Sequence, residues 1–190
     1  MHASAAPKWK EDRIYTEADY DATGEDEHVE LIDGRLYAMA APDRAHQEII
    51  TEMVSVIRNH IRTKGGDCKV YPGPFGVKLS KKKSNIVEPD ISVICDKDKL
   101  TKRGCEGAPD WIIEVVSPSD PGHDYVEKLK LYNDAGVREY WIVDPLTSHV
   151  HVYRLEEDFG VTVYTFRDEI TSGIFTDLTI DFTAIEALLK

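Results

Sequence analysis

The chain has 190 residues, 42% hydrophobic and 31% charged, proportions that fit one soluble domain large enough to bury its own core. No apolar run approaches the ~20 residues a membrane span needs, and a net charge of −12 argues against non-specific nucleic-acid binding by the surface as a whole. Three cysteines (Cys68, Cys95, Cys105) without Cys-x-x-Cys spacing indicate neither a disulfide framework nor a zinc site; with no apolar leader at the N-terminus, the expectation is a cytoplasmic protein with reduced thiols.

Residues 1–13 read as a flexible arm and 14–190 as a single domain. Thr16, with Asp19 three residues on, caps a short helix through Tyr20. Val29–Ile32 and Arg35–Met39 flank Asp33-Gly34, a pair suited to the positive φ angles of a tight hairpin turn. Pro42-Asp43 introduces a helix to about Arg62, whose buried stripe is Ile49, Ile50, Met53, Val54, Ile57 and Ile61. His46 falls on that stripe in the first turn, where a hydrogen-bonded core histidine is the commoner outcome and a site role the sharper one. Cys68–Tyr71 and Phe75–Leu79 are short strands across a Pro-Gly-Pro turn. Asp90–Cys95 and Trp111–Val116 are strands, followed by a helix over Asp124–Ala135 that stops at Gly136. The strand Glu139–Asp144, an antiparallel meander over 149–154 and 161–166, and a closing helix over Thr183–Leu189 complete the chain.

Two carboxylates stand out. Asp90 precedes Ile91, Val93 and Ile94, and Glu114 interrupts Trp111-Ile112-Ile113 and Val115-Val116, both in strands that read as covered on two faces. An ionised carboxylate there costs several kcal/mol unless it is paired or binds a cation. Two of them on neighbouring strands suggest one shared partner, a hard divalent metal. On the following helix Tyr125, Lys128, Leu129 and Tyr132 recur at i, i+3, i+4, i+7, so Lys128 lies on the inward face. It either pairs with Asp124 one turn earlier or reaches over the end of the Glu114 strand. Glu30 shares a strand face with Ile32; alone, it reads as an edge-strand charge. Residues 78–103 carry eight bases against four acids, a local +4 that leaves −16 elsewhere, and Lys81-Lys82-Lys83 reads first as a solvated hairpin tip.

The ordered set Glu30-Leu31-Ile32-Asp33-Gly34, His46, Glu88-Pro89-Asp90, Glu114-Val115-Val116-Ser117-Pro118-Ser119, Asp124 with Lys128, and Tyr132 through Pro145 resembles the PD-(D/E)XK restriction-endonuclease-like superfamily. More narrowly it is similar to the Uma-two branch, over roughly residues 14–170. The resemblance implies an α/β restriction-endonuclease-like core: a mixed central β-sheet flanked by helices, with an N-terminal β-hairpin and a C-terminal antiparallel extension. It also implies a DNA endonuclease. One departure is evident, because D/E-X-K would put lysine where Val116 stands. In this branch the lysine is thought to have moved to the next helix, which Lys128 matches.

In that reading Asp90, Glu114 and the Val115 carbonyl hold Mg²⁺ or Mn²⁺, and Lys128 serves the water or the phosphate. His46 and Glu30 support from the second layer, and Asp124 fixes the Lys128 rotamer. The alternative is a catalytically inactive interaction module that keeps the fold, with Glu114 paired structurally to Lys128. A hydrolase of small phosphoesters is a third reading. A serine-hydrolase reading of His46, Asp90 and Ser117 fails for want of a Gly-x-Ser-x-Gly elbow. The apolar run Tyr140–Val143 and the 149–166 strands present more apolar surface than one small sheet needs, which suggests a homodimer suited to duplex cleavage.

Overall fold

The strand β9 (Trp111–Val115) is an uninterrupted apolar run broken once by Glu114, and all five of its residues are buried. In the computed structural model, which describes residues 9–10, 12–24, 27–39, 41–80, 84–117, 123–156 and 160–190, this strand lies inside a six-stranded mixed sheet. It pairs parallel with β10 (Glu139–Asp144) and antiparallel with β6 (Ile91–Ile94), whose outer neighbour is β3 (Lys69–Pro72). Beyond β10 the chain runs antiparallel through β11 (His149–Arg154) to the edge strand β12 (Val161–Thr165), the expected C-terminal meander.

Alternation along the central strands divides the core. Trp111, Ile113, Val115, Trp141 and Val143 face one side, where they meet the stripe Ile49, Ile50, Met53, Ile57 and Ile61 of α2 (Arg44–Lys64). Phe182 and Ile185 of α4 (Phe182–Leu188) and the small hairpin of β13 (Glu169–Thr171) and β14 (Thr179–Asp181) close that layer. On the other side Ile112, Val116, Tyr140 and Ile142 pack against Leu131 and Tyr132 of α3 (Leu129–Ala135) and against a second sheet.

That second sheet has the order β2-β1-β5-β4-β8-β7, where β1 is Val29–Ile32, β2 Arg35–Ala38, β4 Val77–Lys78, β5 Ile86–Val87, β7 Leu100–Thr101 and β8 Gly104–Glu106. The Asp33-Gly34 hairpin is present, with φ of 45° and 79° at the turn. The capping box of Thr16 and Asp19 starts α1 (Glu17–Asp21). The strands β3 and β4 form as expected but belong to different sheets, so the Pro-Gly-Pro segment joins two sheets.

Four expectations change. Glu30 is not an edge charge: β1 is an inner strand between β2 and β5, and the side chain is buried. The helix over 124–135 begins as a π-helical turn, His123–Lys128, before α3. The apolar run Tyr140–Val143 is fully buried within one chain, so of the two stretches expected to present apolar surface only the 149–166 strands do so, through Val161 and Val163 of β12. Finally, Cys68 and Cys95 form a disulfide at the end of the β3–β6 ladder, where the register sets them opposite each other, while Cys105 is a buried free thiol. Spacing along the chain could not reveal a cross-strand pair 27 residues apart. By loop-closure entropy this bridge contributes about 3–4 kcal/mol. Reduction, or Cys68→Ser, should therefore lower the melting temperature by several degrees, and thiol titration under denaturation should find one free thiol in the unreduced protein.

Of the expected N-terminal arm, residues 1–8 and 11 lie outside the described residues, and Trp9 packs against the cluster of Tyr15, Leu31 and Ile86. Lys81–Lys83 and the side chain of Asp124 also lie outside them. Among the described residues no helix is long and apolar enough to cross a membrane.

Candidate functional site

The ladder between β6 and β9 pairs Ile91 with Ile113, so one step further the register sets Asp90 opposite Glu114. The two acids are tied directly. Asp90 N–H donates to Glu114 Oε2 at 3.1 Å, and Val115 N–H donates to Asp90 Oδ2 at 2.8 Å. Both contacts exist because β6 begins only at Ile91, so the β6–β9 ladder stops short of these amides; side-chain carboxylates take the place of the missing carbonyls.

The approach to Asp90 is shaped by the Pro72–Pro74 segment. Gly73 N–H donates to the Asp90 carbonyl at 2.8 Å, and a Cβ on Gly73 would come within 3.0 Å of the Pro89 oxygen. Glycine permits this closeness.

From the α2 layer comes His46. Asp43 caps that helix by accepting the His46 N–H at 2.9 Å, which holds the imidazole in the first turn with Nε2 3.1 Å from Asp90 Oδ2. Burial opposes a charge on His46, but the hydrogen bond and charge of Asp90, aided by Asp43 and the Val115 backbone, hold its pKa above the ordinary value.

From the opposite layer come Glu30, Lys128 and Tyr132. Lys128 Nζ lies 3.0 Å from Glu114 Oε1 and 3.2 Å from Glu30 Oε1, with the lysine 4% exposed and both acids 2%. Tyr132 O–H donates to the same Glu114 Oε1 at 2.7 Å. Burial, followed by the Glu114 charge, drives the Tyr132 pKa well up, so the phenol stays protonated and remains a donor. Glu30 Oε1 also accepts the Glu88 N–H at 3.0 Å and so ties the hairpin to the Pro89-Asp90 turn. The Glu88 carboxyl itself points to Tyr20 and His28; burial raises its pKa despite His28.

Glu30, His46, Asp90, Glu114 and Lys128 therefore meet at one end of the sheet, at the C-terminal ends of the parallel strands β9 and β10; the side chain of Asp124, also expected there, is outside the described residues. Ligands of α/β sheets commonly bind outside such strand ends. On sequence alone Tyr132 carries no assigned role; its place on the Lys128 stripe is the signal that points to it.

The site is graded in access. Glu114, Glu30 and Lys128 are sealed, whereas the Asp90 side chain keeps 14% of its surface. Among the described residues no three His, Cys, Asp or Glu side chains form a ready cation cage. A hard cation here would draw on Asp90, Glu114 and the Val115 carbonyl and complete its shell with water. That oxygen-only donor set fits Mg²⁺ or Mn²⁺, which retain waters readily.

Another carboxylate is buried as deeply and is unlike these. Glu139 accepts from Trp141 Nε1 at 2.6 Å, Ile174 N–H at 2.9 Å and Ser172 Oγ at 3.3 Å, neutral donors that satisfy it within the fold.

The basic strip of residues 78–103 is largely neutralised where it is described. Lys78 pairs with Glu17, Lys97 with Asp67 and Arg103 with Asp21, and Lys99 donates to the Ala108 carbonyl.

A family model described as "Putative restriction endonuclease", Uma2, matches residues 15–182. The chain belongs to the Uma2 family. Among curated proteins, "Uncharacterized protein slr1290" of Synechocystis sp. is 27% identical over 128 residues, 67% of this chain and 66% of the relative, so the match spans slightly less than two thirds of that protein. Among solved structures, the crystal structure of "a putative nuclease belonging to DUF820" from Anabaena variabilis superposes with a TM-score of 0.71 at 21% identity, covering 85% of this chain and 91% of that one. At that identity the likeness shows a shared fold: the mixed-sheet, restriction-endonuclease-like core expected from the sequence.

Proposed function

We propose that this Uma2 protein is a metal-dependent endonuclease that hydrolyses phosphodiester bonds of DNA. The observation that supports it most is the placement of Asp90 opposite Glu114 at an accessible strand end, beside a buried lysine. Mg²⁺ bound there would activate a water and offset charge developing on the phosphate. The chain's own residues do the rest. Asp90 and Glu114 supply negative charge and oxygen donors on adjacent strands. His46 fixes the Asp90 carboxylate from the α2 side. Glu30 holds the Lys128 ammonium beside Glu114, where its positive charge, sealed from solvent, adds to the field at the strand end that Asp90 exposes.

One observation favours a second reading, a non-catalytic interaction module. Lys128 already pairs with both Glu114 and Glu30, which is what a structural ion network would do. Calorimetric titration separates the two. The nuclease reading expects saturable Mn²⁺ binding at one site, competed by Mg²⁺, together with nicking of supercoiled plasmid that chelation abolishes. A folded protein that takes up no Mn²⁺ would sink the nuclease reading and leave the ion pair as structure.

A further inference from the structure

Glu114 has three rotatable bonds and sits in a wholly buried strand, yet its two oxygens have separate surroundings. Oε1 receives the Tyr132 phenol at 2.7 Å and the Lys128 ammonium at 3.0 Å. Oε2 is turned to Asp90, whose N–H it accepts at 3.1 Å. The two groups on Oε1 come from one helical segment, four residues apart, where the π turn gives way to α3. They differ in kind: the ammonium is a point charge on a four-carbon stem, shared with Glu30, whereas the phenol is carried on a rigid ring. That ring is fully buried and packs edge-on against Tyr140 at 4.9 Å.

Resting on the nuclease reading above, we propose that Tyr132 is a positioning residue for the metal site: its hydroxyl pins Glu114 Oε1, so that Oε2 is presented beside Asp90. A carboxylate held at one oxygen by a rigid donor keeps its other oxygen aimed, which lowers the cost of assembling the cation shell. Groups that orient metal ligands in this way typically change affinity by about 10- to 100-fold when removed.

The competing account is that a buried phenol merely needs an acceptor and Glu114 is the nearest. The two accounts differ for Tyr132→Phe, which keeps the ring and its packing and deletes one hydroxyl. Mn²⁺ affinity is to be measured by calorimetry on wild type, Tyr132→Phe and Tyr140→Phe; the last removes an equally buried phenol from the same layer. Manganese-induced thermal shift serves as a second measurement that tolerates a lowered melting temperature. The positioning role expects Mn²⁺ binding weakened about tenfold or more in Tyr132→Phe and unchanged in Tyr140→Phe. Nicking by Tyr132→Phe at saturating metal should also show a lowered kcat with an unchanged KM for plasmid. Equal affinity in wild type and Tyr132→Phe overturns the positioning role and leaves the nuclease reading intact. Equal weakening in both variants also overturns it, because the effect would then be general loosening of the core. A wild type that binds no Mn²⁺ overturns the metal site itself, and the role of Tyr132 falls with it.

Discussion

Lys128→Ala should destabilise the protein by about 3–5 kcal/mol, the range for removing one partner of a buried ion pair. The substitution withdraws the cation that lies between Glu30 and Glu114, both sealed from solvent, and leaves the acids to repel each other. For a chain of this length the melting temperature should fall by roughly 10 °C, at about 2–4 °C per kcal/mol. Lys128→Met restores most of the lost volume but not the charge, so it should melt nearly as low. Adding Glu114→Gln to Lys128→Met should recover part of the loss, since one of the two acids then needs no counter-charge. Thermal melts of the three variants would check this. A Lys128→Ala protein as stable as wild type would mean that the ammonium contributes little to the fold, and the paired geometry would then lose its structural meaning.

Asp90→Asn should do the opposite, with a small effect on stability and a large one on cleavage. Asparagine keeps an oxygen for the Val115 N–H and fits the same space, and Asp90 is the most accessible acid of the pair with Glu114. Stability should therefore change by about 1 kcal/mol or less, as for many partly exposed substitutions. What is lost is the negative charge that a cation needs. If the metal supplies several kcal/mol of transition-state stabilisation, plasmid nicking should fall by about a thousandfold. The assay is a nicking time course in Mg²⁺ and Mn²⁺ beside a thermal melt of each protein. Wild-type nicking by Asp90→Asn would remove Asp90 from the chemistry. A collapse in melting temperature would instead make it a structural residue.

The contrast between these two acids explains why the site was partly legible in the sequence. Glu114 is conspicuous because four apolar residues and one charge make up a five-residue strand with no turn signal, and burial of that charge demands a partner. Asp90 was legible for the same reason, being the polar residue at the start of an apolar strand. Periodicity alone places Lys128 on an inward helical face, whereas the π turn that begins its helix leaves no mark in that spacing. Taken alone, Glu30 reads as an edge charge because strand order is invisible in one sequence: whether β1 lies at an edge depends on where β5 docks, and Ile86 of β5, which meets Leu31, is far along the chain. Glu139 carries the converse lesson. Its sequence setting, an acid heading an apolar strand, resembles that of Asp90, yet Trp141, Ser172 and Ile174 satisfy it with neutral donors.

The sequence by itself determined the elements and their faces, because hydrophobic period, capping residues and turn residues act over a few positions. The stripe of α2, the Asp33-Gly34 hairpin and the apolar strands β6, β9 and β10 all follow from such local rules. Only the tertiary structure decided which acids share a lysine, which phenol bonds Glu114, and that Cys68 faces Cys95. Those are long-range pairings. They depend on sheet order and register, and register is settled by many weak packing contacts acting together rather than by any residue near them in the chain.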